Sequence, residues 1–374
     1  MALDGIVVSN IVAELNANLA GARIAKIAQP EADELLLTLK SPNSGQVRLL
    51  LSASASLPLI YFTSVNKPSP VTAPAFCMLL RKHIGGGKIM RVYQPGLERI
   101  IHFEIEHLNE MGDLCRKDLV LELMGKHSNL IFCDDNGTII DSIKRVSAQT
   151  SSVREVLPGR PYFIAQTQEK LDPLSTTEDA FCQSVFSKPM KLAKAIYSSY
   201  TGISPVIAEE LCHRASLESD QSANTIQEMA RLHLYHLFDL MMEDIKQHRY
   251  TPLIVSDCHG DPVEFSSLPL TMYADMQITE YPTISEVLEQ YYARKNTVTR
   301  IRQKSADLRH ITVTALERNR KKYALQMKQL KDTEKRDQYK VYGELIHAYG
   351  YGINPGAKSF DALNYYTNEM MTVP

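Results

Sequence analysis

An acidic and a basic residue stand side by side in the segment QPGLERIIHF, between a Pro-Gly turn and an apolar run that is typical of a strand. Arg99 is suited to donate charge-assisted hydrogen bonds to a phosphate or a base, while Glu98 is suited to orient it or to accept from an amino group. The alternative is an exposed ion pair at the start of a strand, which contributes only about 0–1 kcal/mol. The residues alone leave both interpretations open.

Another acidic residue, Asp4, precedes an apolar stripe formed by Val8, Ile11, Leu15 and Leu19. Aspartate is a preferred N-cap residue because its carboxylate accepts a hydrogen bond from a backbone amide of the first helical turn. The stripe therefore predicts a helix that begins directly after Asp4. An N-cap carboxylate can also face a ligand, so a binding role stays open as well.

Two polar clusters are candidates for contacts with phosphate or ribose groups. The segment MLLRKH places Arg81, Lys82 and His83 at the end of a helix predicted to open after Pro74, where free carbonyl groups favour positive charge. The segment MGKHSN interrupts two strands with residues that are also common in ordinary loops. Its candidates are Lys126, His127, Ser128 and Asn129. Either cluster is compatible with a structural role or with a nucleic-acid contact.

A glycine turn joins two predicted helices in the segment YTGISPVIAEELC. Gly202, Ile203 and Ser204 precede Pro205, and proline is favoured at the first position of a helix. This order matches the helix-hairpin-helix pattern, in which free amides of the turn can meet a phosphate. The alternative is a purely structural turn between two helices.

The elements that must position these residues begin with a β-rich segment. Six short apolar runs bounded by turn residues predict strands at 23–29, 34–40, 46–52, 119–124, 129–133 and 138–144. A polar connector is expected over 166–190, a helical region over 191–250 and a β-like connector over 251–282.

Charge is concentrated in one stretch near the end of the chain. The 374 residues carry a net charge of −2, yet residues 294–340 contain 15 Lys and Arg against 5 Asp and Glu. A heptad step of apolar residues, with one shift of phase, runs through Ile301, Leu308, Ala315, Leu316, Tyr323 and Leu330. The stretch therefore predicts one long helix, half of an antiparallel coiled coil, that binds RNA backbone through its positive charge.

Several function classes find no support in the residues. The six cysteines lack the spacing of a zinc site, and no G-x-S-x-G segment indicates a hydrolase. The segment GGGK at 85–88 follows a predicted helix, whereas a phosphate-binding loop would open one. We therefore expect no metal, no cofactor and no catalytic residues. No apolar run reaches membrane-spanning length and no basic leader opens the chain, so we expect a cytoplasmic protein outside the membrane.

Blocks along the whole chain resemble the NFACT family. They include MALDGIVVSNIVAELN, FCMLLRKHIGGGKI, QPGLERIIHF, ELMGKHSNLI, SVREVLPGRPY and YGELIHAYGYGINPG. Members of this family include the bacterial RqcH proteins, long labelled fibronectin-binding proteins, and eukaryotic NEMF. The resemblance implies an α+β fold that starts with a β-rich NFACT-N domain over 1–170, related in fold to the N-terminal domains of formamidopyrimidine-DNA glycosylases. A helix-hairpin-helix domain with its connector is expected over 171–282. The resemblance further implies an incomplete coiled-coil arm over 283–374 and a chain that is truncated before the family's NFACT-R domain.

The resemblance also implies a role in ribosome-associated quality control. Such proteins bind the large ribosomal subunit and its rRNA, recruit tRNA, which is alanine tRNA in bacteria, and promote template-free C-terminal alanine tailing. The family's Asp-Arg pair falls on Glu98 and Arg99, with one extra methylene at Glu98, and its N-terminal aspartate falls on Asp4. The two polar clusters and the hairpin are then expected to contact RNA. A surface adhesin that binds fibronectin is the alternative function.

Overall fold

The computed structural model describes residues 3–151, 153–165 and 169–374, apart from the side chains of 294–304, 306, 307 and 334. The chain forms two compact units, Met1–Asn296 and Thr297–Pro374. Both helices and antiparallel sheets are present, so the predicted α+β class is confirmed. The division into three domains stays a prediction.

A large antiparallel sheet dominates the first unit, and its strands are ordered β4-β3-β2-β1-β5-β6-β7-β8-β9. Each of the six predicted runs overlaps one of these strands, whereas β4 and β5 were not predicted. The strands are β1 (Arg23–Ala28), β2 (Glu34–Ser41), β3 (Gly45–Ala53), β4 (Pro58–Phe62), β5 (Lys88–Tyr93), β6 (Ile100–Leu108), β7 (Leu114–Glu122), β8 (Asn129–Asp134) and β9 (Ile139–Ser142).

Two helices, α1 (Gly5–Leu19) and α2 (Ala75–Ile84), pack on one face of this sheet. Both begin where the sequence predicts, after Asp4 and after Pro74. Strand residues that face the helices are apolar and buried, such as Ile24 and Ile27 of β1. The opposite face of the sheet carries two smaller apolar clusters with polar residues between them, so only part of it is solvated.

A helical part follows, with its own hydrophobic core. Its elements are α3 (Glu178–Phe186), α4 (Leu192–Ser199), α5 (Pro205–Arg214), α6 (Glu228–Lys246), β10 (Leu253–Ser256), β11 (Pro262–Ser266) and β12 (Gln277–Glu280). The expected polar connector 166–190 is wrong in its second half, because α3 lies there and buries Phe181, Val185 and Phe186. Residues 166–168 of that connector lie outside the described residues.

The last helix, α7 (Ile284–Tyr349), is 66 residues long, which confirms the predicted long helix. Leu308, Leu316, Tyr323 and Leu330 are exposed, and the side chain of Ile301 is outside the described set, so the coiled coil stays a prediction. A hairpin that the sequence did not predict follows, formed by β13 (Phe360–Asn364) and β14 (Glu369–Val373), and it packs on Leu345 near the end of α7. Within the described residues, every helix is too short or too polar to cross a bilayer.

Candidate nucleic-acid interface

The first helix starts at Asp4, whose side chain closes the first turn. Its Oδ1 accepts a hydrogen bond of 2.8 Å from the amide of Val7, so the predicted N-cap is confirmed. Burial raises the pKa of the Asp4 carboxyl, while the amides of Val7 and Ile6, the Ser204 hydroxyl and the charge of Arg99 act in the opposite direction. Asp4 is thus both a structural cap and a member of a charged cluster.

Three backbone segments meet directly beside this cap. The amide of Gly5 donates a hydrogen bond of 2.9 Å to the carbonyl of Gly202. A Cβ atom on Gly5 would lie 2.1 Å from the carbonyl oxygen of Leu97, and one on Gly202 would lie 2.4 Å from the same atom. Gly202 also has a φ of 77°, which other residues rarely adopt. Only glycine therefore fits at either position.

The loop before β6 is fixed in the same place by two side chains. Gln94 Nε2 donates to the carbonyl of Gly5 at 2.9 Å and to the carbonyl of Glu98 at 2.8 Å. Leu97 is buried and belongs to the core of the helical part, together with Ile6 of α1. These contacts hold Glu98 and Arg99 beside Asp4, at the boundary between the sheet and the helical part.

We call the charged cluster at this boundary the junction site, and it consists of Asp4, Glu98, Arg99, Lys170 and Ser204. Glu98 and Arg99 are half-buried and form no ion pair within 4 Å in the described part of the chain, although the charge of Arg99 acts on Glu98, so their role stays a prediction. Burial raises the pKa of Glu98, and the charges of Arg99 and Lys170 oppose that rise. Burial also lowers the pKa of Lys170, and Arg99 adds to this by repulsion.

Arg99 is half-buried, and its guanidinium donates no hydrogen bond to any described residue. Lys170, by contrast, donates from Nζ to the carbonyl of Tyr197 at 2.8 Å. Lys170 was not predicted, because it is 71 positions beyond Arg99 and no local pattern marks it. Gln94 was also missed, although it opens the segment that contains Glu98. The junction site thus presents a guanidinium that donates to no acceptor in the described part of the chain, close to an ammonium group.

The hairpin Gly202-Ile203-Ser204 connects α4 and α5 and lies against the start of α1. Ser204 caps α5, since its Oγ accepts a hydrogen bond of 3.4 Å from the amide of Ile207. Ile203 and Ser204 are buried. The amides of Gly202 and Ile203 donate to no described residue. The hairpin therefore combines a tight structural role with two backbone amides that bond to no acceptor among residues 3–151, 153–165 and 169–374.

The segment MGKHSN splits into an exposed half and a buried half. Lys126 and His127 are exposed in a short 3₁₀ turn. Asn129 is buried and bonded to the backbone of Lys144 through both its amide nitrogen and its oxygen, and Ser128 is also buried. The amide of Leu123, just before this segment, donates to the carbonyl of Arg99 at 2.8 Å. Lys126 and His127 therefore follow the end of β7 that adjoins the junction site.

Arg81, Lys82 and His83, which we call the α2 cluster, lie at the opposite end of β6. The charges of Lys117 and His107 lower the pKa of His83, and both residues belong to that end of the β6–β7 pair. Arg99, in contrast, directly precedes β6. Nine residues of strand separate the two ends by roughly 30 Å. The predicted RNA-binding residues therefore do not form one continuous site.

Each member of the α2 cluster interacts with protein groups. Arg81 Nε donates to the carbonyl of Ile27 at 2.8 Å, and Lys82 Nζ is 3.1 Å from Glu110 Oε1. Burial lowers the pKa of His83, and the positive charge of Lys82 lowers it further, which favours the neutral imidazole. These contacts favour the structural interpretation of the α2 cluster. Among the described residues, no three His, Cys, Asp or Glu side chains gather in a way that could hold a metal ion.

Comparison with known proteins gives several matches. A family model described as NFACT N-terminal and middle domains matches residues 4–374. The Rqc2 homologue RqcH of Bacillus subtilis (strain 168) is 34% identical over 374 residues, which are 100% of this chain and 63% of that protein. The human ribosome quality control complex subunit NEMF is 25% identical over 201 residues, which are 53% of this chain and 17% of that protein.

A solved structure gives a similar result. The N-terminal part of the fibronectin/fibrinogen-binding protein from Streptococcus suis superposes with a TM-score of 0.63 at 27% identity, over 78% of this chain and 100% of that one. The chain thus spans less than two thirds of the length of its Bacillus relative, and nearly four fifths of it shares a fold with the Streptococcus domain.

Proposed function

The chain belongs to the NFACT family, and on that premise we propose that it is a ribosome-associated quality-control factor. In this role it binds the large ribosomal subunit and tRNA, and the full-length protein promotes template-free C-terminal alanine tailing of the nascent chain. The relatives named RqcH and NEMF support the general role. The charge distribution of the junction site supports the contact with tRNA.

The observation that carries the proposal is the position of Arg99. Its guanidinium has no hydrogen-bond acceptor among the described residues, and Lys170 brings a second positive charge close to it. A phosphate oxygen is a strong acceptor for a planar guanidinium, which can donate two parallel hydrogen bonds. The unused amides of Gly202 and Ile203 lie beside the same site and supply further donors for an anion. The junction site is therefore suited to the tRNA backbone.

Glu98 has a different role in this proposal, because an RNA backbone carries no positive group with which the Glu98 carboxylate could pair. Its carboxylate is half-buried beside Arg99 and Lys170, and these two charges keep it from repelling the ligand. It is suited to accept a hydrogen bond from a base amino group or a ribose hydroxyl. Because Glu98 is one methylene longer than the aspartate of the family pattern, Glu98→Asp should maintain or improve tailing and Glu98→Ala should impair it.

Co-sedimentation tests the proposal most broadly. The full-length protein should sediment with isolated large ribosomal subunits, and sequencing of the RNA that purifies with it should show enrichment of tRNA. Glu98→Asp and Glu98→Ala are then compared for tail elongation on the same subunits. Absence of both subunits and tRNA from the purified protein would contradict the proposal.

Fibronectin binding is the second candidate, and the name of the similar Streptococcus protein favours it. The same purified protein can be tested for binding to immobilised fibronectin. Fibronectin binding together with no ribosomal association would favour the adhesin function over quality control.

A further inference from the structure

A row of basic side chains crosses the face of the large sheet that α1 and α2 leave open. Lys40 of β2 is opposite Arg23 of β1, and Arg23 is opposite Lys88 of β5. Residues directly opposite on antiparallel strands share one face, and neighbouring strands are about 4.8 Å apart. Lys26 and Arg91 lie on the same face, one step further along β1 and β5. We call these five residues the cation face.

All five side chains are exposed, while the alternating residues of the same strands face the core. Ile24 and Ile27 of β1, and Ile89 and Val92 of β5, are buried under the helices. The cation face lies between two covered areas of the outer surface of the sheet. On one side, Ala28 packs with Leu36 and Leu50, and on the other the segment around Val156 and Tyr162 covers β6 to β8. These neighbours leave β1 and β5 open to solvent.

Within the described part of the chain, no residue of the cation face forms an ion pair. Two acidic residues border it on β6, but Glu106 is bound by Arg116 through Nε and Nη2, each at 3.1 Å. Glu104, opposite Arg91, is the other. Two cations are also held in place by protein contacts. Arg23 Nε donates to the carbonyl of Gly86 at 3.0 Å, and the Arg91 guanidinium lies 4.8 Å from the centre of the Tyr93 ring.

An open hollow of about 380 Å³ lies at the end of the row, and Gly21, Arg23, Gly86 and Lys88 contribute to its lining. The segment GGGK, which does not fit a nucleotide-binding loop, supplies Gly86 and Lys88 to this hollow. Glycines at the rim leave the two cations accessible to a group as large as a phosphate. Glu106, which Arg116 binds, and His107, Leu108 and Leu114 complete the lining, so the positive charge of the hollow comes from Arg23 and Lys88.

We propose that the cation face binds the phosphate backbone of RNA, as a contact separate from the junction site. The proposal rests on the proposed function, in which the protein works on an RNA-rich particle. Cations that lie on neighbouring strands and form no ion pair in the described part of the chain match a repeating anion, and their neutralisation of phosphates releases counterions. A backbone contact of this kind positions the protein without reading sequence.

Two other partners fit this face less well. Basic surfaces that bind membranes also insert apolar side chains, but Met90 is the single large apolar side chain exposed on the described β1 and β5, at 40%. Protein interfaces have an apolar centre surrounded by polar groups, and the cation face has no such centre. RNA backbone is therefore the partner that its charge and polarity favour.

The test compares two triple variants of the 374-residue chain with equal loss of charge. Lys26→Gln, Lys40→Gln and Lys88→Gln are combined in one variant, and the exposed Lys194, Lys246 and Lys358 are changed to Gln in the control. Binding to a blunt 20-base-pair RNA duplex is measured as a function of salt. The cations of α7 are the same in both variants, so their contribution cancels.

We expect the first variant to bind the duplex roughly 10- to 100-fold more weakly at 0.1 M salt, and its salt slope to fall by about 2 to 3. The control should stay within about twofold of the unchanged chain. Equal slopes in the two variants would overturn the proposal. Loss of binding to phosphatidylserine vesicles or to polyglutamate in the first variant, with duplex binding retained, would overturn it in favour of a membrane or an acidic protein.

A variant of the junction site distinguishes failure of this proposal from failure of the proposed function. Arg99→Ala should weaken binding of tRNA while its slope with the RNA duplex stays close to that of the unchanged chain. If Arg99→Ala acts in this way and the triple variant of the cation face does not, the cation face is not an RNA contact and the proposed function stands. If instead the triple variant weakens binding of the duplex and Arg99→Ala does not weaken binding of tRNA, the cation face is an RNA contact and the junction site is not.

Discussion

The junction site and the α2 cluster carry similar chemical groups at opposite ends of β6, but they differ in what surrounds each charge. At the α2 cluster, Arg81 donates to a backbone carbonyl and Lys82 is close to an acidic side chain. At the junction site, Arg99 has no acceptor among the described residues, and it is held near Lys170 in spite of their repulsion. The α2 cluster has more consecutive basic residues in the sequence than the junction site has.

The difference shows that the number of internal partners, more than the local density of charge, separates a structural cluster from a candidate binding site. A cation with a protein partner must give up that partner to bind a ligand, and the exchange leaves little net free energy. A cation that folding leaves without an acceptor can bind a phosphate without such a loss. At the junction site this arrangement requires the close packing of three backbone segments, which only glycine permits.

The largest expected effect concerns this packing. Gly202 and Gly86 both have a φ of 77°, but a Cβ atom on Gly86 would meet nothing within 4 Å, whereas one on Gly202 would collide with Leu97. Gly86→Ala should therefore lower the free energy of unfolding by about 1 kcal/mol, and Gly202→Ala by about 3–5 kcal/mol. Denaturant unfolding of both variants measures the difference. Equal losses would show that the backbone contact between α1, the loop and the hairpin is not tight.

A smaller effect is expected at the N-cap of α1. Asp4→Ala removes the acceptor for the amide of Val7 and should lower the free energy of unfolding by about 1 kcal/mol. Asp4→Asn keeps an acceptor oxygen in the same place and should retain most of the stability. Thermal or denaturant unfolding at one pH compares the two variants, and an alanine variant as stable as the asparagine variant would exclude a contribution from the cap.

The same position predicts a dependence on pH. Burial raises the pKa of Asp4 above its ordinary value of 3.8, so the folded protein holds the proton more strongly than the unfolded chain. Stability contributed by the protonated carboxyl is therefore lost as the pH rises from about 4 through the raised pKa. Asp4→Asn should gain stability relative to the unchanged chain over that interval and keep a constant difference above it. A difference that does not change with pH would show that the pKa of Asp4 is not raised.

The smallest effect is expected at the α2 cluster. Lys82 and Glu110 are both exposed, so Lys82→Ala should change the free energy of unfolding by less than about 0.5 kcal/mol. Glu110→Ala should have a similarly small effect. Unfolding measurements at low and high salt check this, and a loss above 1 kcal/mol for either variant would mean that the pair matters more than its exposure indicates.

Local patterns in the sequence predicted much of the fold. The apolar stripe after Asp4 predicted α1 and its cap, Pro74 marked the start of α2, and the six apolar runs all coincide with strands. Each of these features depends on residues within a few positions of one another. For the same reason α3 was missed, because its polar composition hides Phe181 and Val185 from a local pattern.

The candidate site was predicted only in part, because long-range contacts assemble it. Glu98 and Arg99 stood out as adjacent charges, but the position of Lys170 and the insertion of Leu97 into the helical core depend on how distant segments pack. The row from Lys40 to Lys88 likewise exists only through strand registry, which no single segment encodes.

The affinity for tRNA of matched variants at the two ends of β6 tests the central claim most directly. Arg99→Ala should lose about 1–3 kcal/mol of binding, and Arg99→Lys should recover only part of it because a lysine lacks the planar pair of donors. Lys82→Ala, which also removes one positive charge, should bind tRNA within about twofold of the unchanged chain. Arg99→Ala and Lys82→Ala weakening tRNA binding to the same extent would contradict the account, since the junction site would then contribute no more than any other surface cation.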